Sequence, residues 1–181
     1  DPDRPVVGAV GTGDWRKGID LFVQTAARVV ARSGRPPMFV WVGPLVDEDR
    51  VRHDIEAAGL GGHVLLVGPV PDAGAWYPAF DVLVSTARED PFPLVGLEGG
   101  GAGRPIVAFA SGGLRELLAH GRGIVVDALD VAGLADAVLD LLADPGRASE
   151  LGGRLARHVQ ARHTPDSAAG PMWDALIGAA R

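Results

Sequence analysis

Short apolar runs alternate along this chain with longer stretches whose apolar positions recur at helical spacing. Pro5–Val10 predicts a buried strand. Gly18–Arg32 predicts a helix, because Ile19, Phe22, Val23, Ala26, Val29 and Val30 fall on one face. Met38–Val42, Val64–Val67, Asp81–Ser85, Pro105–Phe109 and Gly123–Val126 read as further strands. Among the intervening segments, Glu48–Ala58 reads as an amphipathic helix stopped by Gly59. Asp72–Ala79 reads as a short helix with Asp72 as its cap. Another helix opens near Pro93, and Gly113–Ala119 forms a short one. Val131–Ala143, Pro145–Arg162 and Pro165–Ala180 close the chain as three helices.

Strands that are apolar throughout need cover on both faces, as in a parallel sheet. Right-handed crossovers then give a doubly wound α/β domain of about six strands, Rossmann-like, with helices on both faces and spanning residues 1–181. Ligands of such sheets bind beyond the carboxyl ends of the strands. The loops after Val10, Val42, Val67, Ser85 and Phe109 are therefore where function belongs.

Composition narrows the choice. The chain is 47% hydrophobic and 22% charged, enough to bury a core and stay in solution. A formal net charge of −6 argues against a nucleic-acid partner. With no cysteine, disulfides, thiolate catalysis and Cys-type zinc sites are excluded. No apolar run approaches a membrane span, and Asp1-Pro2-Asp3-Arg4-Pro5 has no signal-peptide character. That opening reads as a cut in a linker of a longer, cytoplasmic protein. Of 17 basic residues only Lys17 is a lysine, which fits a GC-rich coding bias and singles Lys17 out.

Two loops carry candidate chemistry. Gly11-Thr-Gly-Asp-Trp-Arg-Lys-Gly18 follows a strand and opens a helix, where amides and the helix dipole attract an anion. It has neither Rossmann nor P-loop spacing. Arg16 and Lys17 place two cations where the dipole disfavours them unless an anion is bound. Two solvated charges are the plain alternative. Arg88-Glu-Asp-Pro-Phe-Pro-Leu-Val-Gly-Leu-Glu98 also follows a strand and opens a helix. Dipole pairing accounts for Glu89 and Asp90, but Glu98 lies past the first turn and wants a hydrogen-bonding partner, a part that sugar hydroxyls suit. Gly99-Gly-Gly-Ala-Gly103 serves either close packing or close ligand approach. Ser111-Gly112-Gly113 could leave amides free for a ligand. The five histidines are scattered and take no catalytic role. The four tryptophans read as packing residues, with Trp15 the exception to watch.

In order along the chain, these segments resemble the C-terminal domain of GT-B fold retaining glycosyltransferases, family four (glycosyl transferases group 1). The resemblance rests on Arg16-Lys17-Gly18, Val40-Trp-Val-Gly43, Val64-Leu-Leu-Val-Gly-Pro-Val70, the acid pair Asp90 and Glu98, Gly103-Arg-Pro-Ile-Val107 and Gly112-Gly-Leu-Arg-Glu116. It implies a donor-binding domain whose substrate is a nucleoside diphosphate sugar, with no cofactor and no metal. Lys17, with Arg16, would contact the donor diphosphate. The amides of Leu94 and Val95 would take a phosphate. Gly68, Pro69 and Val70 would flank the nucleobase, Glu98 would hold the ribose, and Asp90, the catalytic acid, would lie by the transferred sugar. The acceptor and an N-terminal acceptor-binding domain would complete the cleft.

The sequence also departs from the pattern. The first acid is usually Glu, so Glu89 competes with Asp90 for that role. Pro93 replaces a glycine and Thr12 an arginine, and Glu98 is followed by three glycines. A non-catalytic nucleotide or nucleotide-sugar binding module and half of a sugar-nucleotide epimerase are the alternatives.

Overall fold

The computed structural model describes residues 3–179. Six parallel strands form one sheet in the order β3-β2-β1-β4-β5-β6. They are β1 (Val6–Val10), β2 (Met38–Val42), β3 (Val64–Gly68), β4 (Val82–Ser85), β5 (Ile106–Phe109) and β6 (Ile124–Val126). All five strand pairings are parallel, as the uniformly apolar runs require. The order reverses between β1 and β4, so the crevice at their carboxyl ends is the topological switch point.

Alternate side chains feed two cores. Val7, Phe39, Val84 and Phe109 face one layer, and Val40, Leu83, Ile106 and Ala108 the other. Helices α1 (Ile19–Arg32), α2 (Glu48–Ala57) and α5 (Val131–Ala143) supply the first layer. Phe22 of α1 sits edge-on to Phe39 and Trp41, with ring centroids 5.4 and 5.2 Å away. Fully burying such a ring contributes roughly 2–3 kcal/mol. The second layer comes from α3 (Leu94–Gly101), α4 (Leu114–Leu117) and much of α6 (Pro145–Arg162). Helix α7 (Pro165–Ala179) packs against α6, and Ala180, the expected end of that helix, lies outside the described residues.

The short helix expected over Asp72–Ala79 is a 3-10 helix, Gly74–Ala79, and Pro78 stands within it. Asp72 is not its cap: its carboxylate accepts the Gly74 N–H (2.8 Å), closing a local turn before the helix begins.

Candidate functional site

The loop between β1 and α1 is shaped by its own acid. The Asp14 carboxylate accepts the Lys17 N–H (2.6 Å), and the Asp14 carbonyl accepts the Gly18 N–H (3.0 Å). The Thr86 hydroxyl donates to the Lys17 carbonyl (3.1 Å). Gly18 holds φ 71°, and a Cβ there would stand 2.1 Å from the Thr86 carbonyl oxygen. Glycine is therefore what lets this loop touch the one after β4. The amides of Lys17 and Gly18 are engaged inside the loop. What the loop presents here is the Lys17 side chain, not the bare backbone donors expected of the α1 start.

Lys17 reaches across to the second loop, where its ammonium pairs with the Asp90 carboxylate. Asp90 is the one charged side chain among the described residues that is buried. A carboxylate taken from water needs such a partner. Glu89 is exposed, and its backbone carbonyl, not its carboxylate, meets Arg16, whose guanidinium donates to it (3.2 Å). The register thus brings Asp90, and not Glu89, to Lys17. Arg16 is exposed, and its carbonyl accepts the Arg88 N–H (2.8 Å).

A second ion pair bolts the two loops together. Arg88 donates from two nitrogens to both carboxylate oxygens of Asp20 (2.7 and 2.6 Å) and also to the Trp15 carbonyl (2.7 Å). Its guanidinium lies 5.0 Å from the centre of the Trp15 ring. The Arg88 hydrogen bond holds the Asp20 carboxyl below its usual range, against the opposing effect of burial, and Asp20 in turn raises Arg88. Sequence reasoning gave neither residue a role. An acid in the first helical turn and an arginine after a strand are too common to signal a pair.

Helix α3 starts at Leu94, behind Pro93, with no side chain capping it. Its leading amides point along a positive dipole end. Leu94 is exposed. Val95 is half-buried and borders a narrow crevice with Lys17, Asp90, Trp41 and Ser85. Glu98 lies one turn on, exposed, and accepts the Tyr77 hydroxyl (2.7 Å) at Oε2. Burial, and then the Glu98 carboxylate, push the Tyr77 phenol far above its ordinary pKa. Part of the hydrogen bonding foreseen from sugar hydroxyls is thus supplied by a buried tyrosine that the sequence did not mark out.

Gly68 ends β3 at φ 79°, and its carbonyl accepts the Gly43 N–H (2.9 Å). Val70 follows, partly buried against the second core. Both stand on the same carboxyl edge of the sheet as Lys17 and Asp90.

The glycine-rich stretches resolve into packing. Cβ atoms added at Gly96, Gly99 and Gly100 would come within 2.6, 2.2 and 2.8 Å of Leu114, Leu83 and Leu155. The Ser111 and Gly113 amides are not free, since they donate to Phe109 (2.7 Å) and Pro91 (2.8 Å) carbonyls. A Cβ at Gly112 would stand 1.7 Å from the Asp90 carbonyl oxygen. That loop clamps the Asp90 backbone. Among the aromatic residues, Trp41 is buried with its indole N–H on the Gly11 carbonyl (3.0 Å), whereas Trp15 is 65% exposed. Among the described residues, no group of three or more His, Asp or Glu is placed to hold a metal ion, and no helix is long and apolar enough to cross a membrane.

Comparison with known proteins agrees with this fold. The glycosyl transferases group 1 family matches residues 4–144. A lipopolysaccharide core biosynthesis mannosyltransferase, LpcC of Rhizobium leguminosarum bv. viciae, is 32% identical over 189 residues, covering 98% of this chain and 53% of its own length. The chain spans about half the length, or less, of the curated relatives it matches. Among solved structures, sucrose-phosphate synthase of Thermosynechococcus elongatus superposes with a TM-score of 0.87 at 29% identity, covering 99% of this chain and 47% of that one. Anabaena HepE, solved in complex with UDP and glucose, superposes with a TM-score of 0.88 at 21% identity, covering 97% and 49%. By its sequence and by the six-stranded sheet that carries Lys17 and Asp90 at its switch point, the chain belongs to the glycosyl transferases group 1 family and corresponds to the C-terminal domain of a GT-B glycosyltransferase.

Proposed function

We propose that this chain is the donor-binding domain of a retaining glycosyltransferase, which moves a sugar from a nucleoside diphosphate sugar to an acceptor. One observation carries the reading: Lys17, Asp90 and the uncapped start of α3 meet where the strand order reverses. A departing nucleoside diphosphate needs cations and oriented donors aimed at its growing charge. Lys17 and Arg16 supply the cations, and the Leu94 and Val95 amides the donors. Glu98 takes the ribose hydroxyls, Gly68 and Val70 flank the base, and Asp90 lies beside the transferred sugar. In this reading no metal is required, the protein is cytoplasmic, and the acceptor side comes from the remainder of the full-length protein. The UDP and glucose held by HepE on the same fold support it.

The test is calorimetry with UDP, GDP, ADP and TDP. The Lys17→Ala variant should bind the preferred diphosphate about 10- to 150-fold more weakly, the scale of a charge-assisted hydrogen bond. Binding of the matching free nucleoside should not change. Equal diphosphate affinity in the two proteins would defeat the reading.

A further inference from the structure

Lys17 has one ammonium group, and two partners compete for it. One is Asp90, to which it is paired; the other, on the donor-binding reading, is the diphosphate. The two ends of the pair differ in freedom. The backbone at and after Asp90 is held: Gly112 closes on its carbonyl, and the next carbonyl, that of Pro91, accepts the Gly113 N–H (2.8 Å). The Lys17 backbone is likewise held, by Asp14 and Thr86. Its side chain, however, is a flexible four-carbon stem with 20% of its surface exposed, against 9% for Asp90. The ammonium can therefore swing while the carboxylate stays in place.

We propose that Asp90 is a specificity-determining residue that favours the intact donor over the spent nucleoside diphosphate, through competition for Lys17. When a diphosphate draws the ammonium away, Asp90 is left buried, without its counter-charge and close to a second anion. A buried carboxylate in that position is costly. An intact donor offsets the cost, because its sugar hydroxyls donate to the freed carboxylate. A bare nucleoside diphosphate brings no such donor, so it binds against the full cost. Once the sugar has moved to the acceptor, the same carboxylate weakens the hold on the product and draws Lys17 back. The inference rests on the donor-binding reading, and it assigns to Asp90 a role in product release.

Inorganic pyrophosphate tests the competition without a base or a sugar. Calorimetry should show Asp90→Asn binding pyrophosphate about tenfold more tightly than the unmodified chain, because the ammonium no longer has to leave a mostly buried ion pair. Lys17→Ala should bind it more weakly, and the double variant should match Lys17→Ala. With UDP and UDP-glucose, or GDP and GDP-mannose, Asp90→Asn should gain affinity for the diphosphate and lower the preference for the sugar conjugate. Asp90→Ser, checked by its melting curve, serves as a second variant if the asparagine form does not fold.

No gain in pyrophosphate affinity overturns the proposal. So does a gain that persists in the Lys17→Ala background, since that is simple repulsion between anions. If Lys17→Ala leaves pyrophosphate binding unchanged, or if pyrophosphate does not bind, the donor-binding reading falls and the competition falls with it.

Discussion

Tyr77 and Glu98 meet across the second layer of the fold, the phenol donating to Oε2 of the carboxylate over 2.7 Å. Tyr77 is buried and anchored beside Phe80, ring centroids 6.2 Å apart, whereas Glu98 is exposed. The buried partner fixes the aim of the exposed one and leaves Oε1 for a further donor.

Removing only that hydroxyl separates aim from packing. Tyr77→Phe keeps the ring and should weaken nucleoside diphosphate binding by about 1 kcal/mol, the net worth of a hydrogen bond. Glu98→Ala should cost more, about 1.5–3 kcal/mol. Neither variant should alter binding of the 2′,3′-dideoxy analogue, which has no ribose hydroxyls to offer. If the analogue loses affinity in parallel, Glu98 is a structural carboxylate.

Gly18 and Gly59 share a left-handed backbone, at φ 71° and 70°, yet their surroundings differ. Nothing lies within 4 Å of a Cβ added at Gly59, while one at Gly18 strikes the Thr86 carbonyl. Gly59→Ala should therefore cost only the conformational strain, about 1 kcal/mol. Gly18→Ala should cost more than twice that, about 2–3 kcal/mol, because two backbones must part. It should also weaken diphosphate binding, since Lys17 moves with the loop. Denaturant melts of the two variants check the order, and equal losses would show that the loops are not tightly joined.

Much of this was legible in the sequence. Six apolar runs gave six strands within a residue or so at either end, because a strand covered on both faces must be apolar throughout. Lys17, Asp90 and Glu98 were legible because their motif spacing places two of them on loops and the third in the helix that follows, all at one sheet edge. The partners were not. Asp20 and Arg88 are 68 positions apart, and Tyr77 looked like any aromatic before a strand. The glycines after Glu98 read equally as a ligand approach, whereas Leu83 and Leu155 fill the space at Gly99 and Gly100. The short helix ending at Ala79 was legible, but its 3-10 winding and its start at Gly74 were not, because Pro78 and the local turn at Asp72 act below the scale of hydrophobic periodicity.

The Asp20–Arg88 pair sets an acid limit. Asp20 is held below its ordinary pKa in the folded chain, so the unfolded chain binds its proton first as pH falls. The pair's contribution is complete above the ordinary carboxylate range near 4 and is lost as pH drops through the lower folded value. Asp20→Asn should cost about 1 kcal/mol at pH 7, a partly exposed bidentate pair. The cost should shrink as pH falls below the ordinary carboxylate range. A difference independent of pH across that window would mean that packing, not charge, is what Asp20 supplies.

His158 acts in a higher pH range. Its ring lies 5.2 Å from that of His163, and desolvation, reinforced by Arg122, His163, Arg162 and His120, lowers its pKa. Charging it is harder in the folded chain, so stability should fall as pH drops below the ordinary histidine value of about 6.5. In His158→Gln that slope, followed by thermal melting between pH 7 and 5, should flatten. An unchanged slope assigns it to other groups.

The chain should bind a nucleotide yet transfer no sugar by itself. Trp15, two residues before Lys17, and Leu94, the first residue of α3, are 65 and 66% exposed, so both segments that carry the site leave large apolar side chains in water. Transfer to an acceptor requires that water be excluded and that the acceptor be held in line with the sugar. On the donor-binding reading both tasks fall to the remainder of a longer protein, and the relatives it resembles are about twice as long. Cooperative unfolding in denaturant, with a midpoint that rises on adding nucleoside diphosphate, is the expected outcome. Product analysis with a nucleotide-sugar donor should show no transfer to any acceptor, and transfer should appear when the full-length protein is used. Robust transfer by the 181-residue chain would mean that the site is complete within this sheet and that the two-domain reading is wrong.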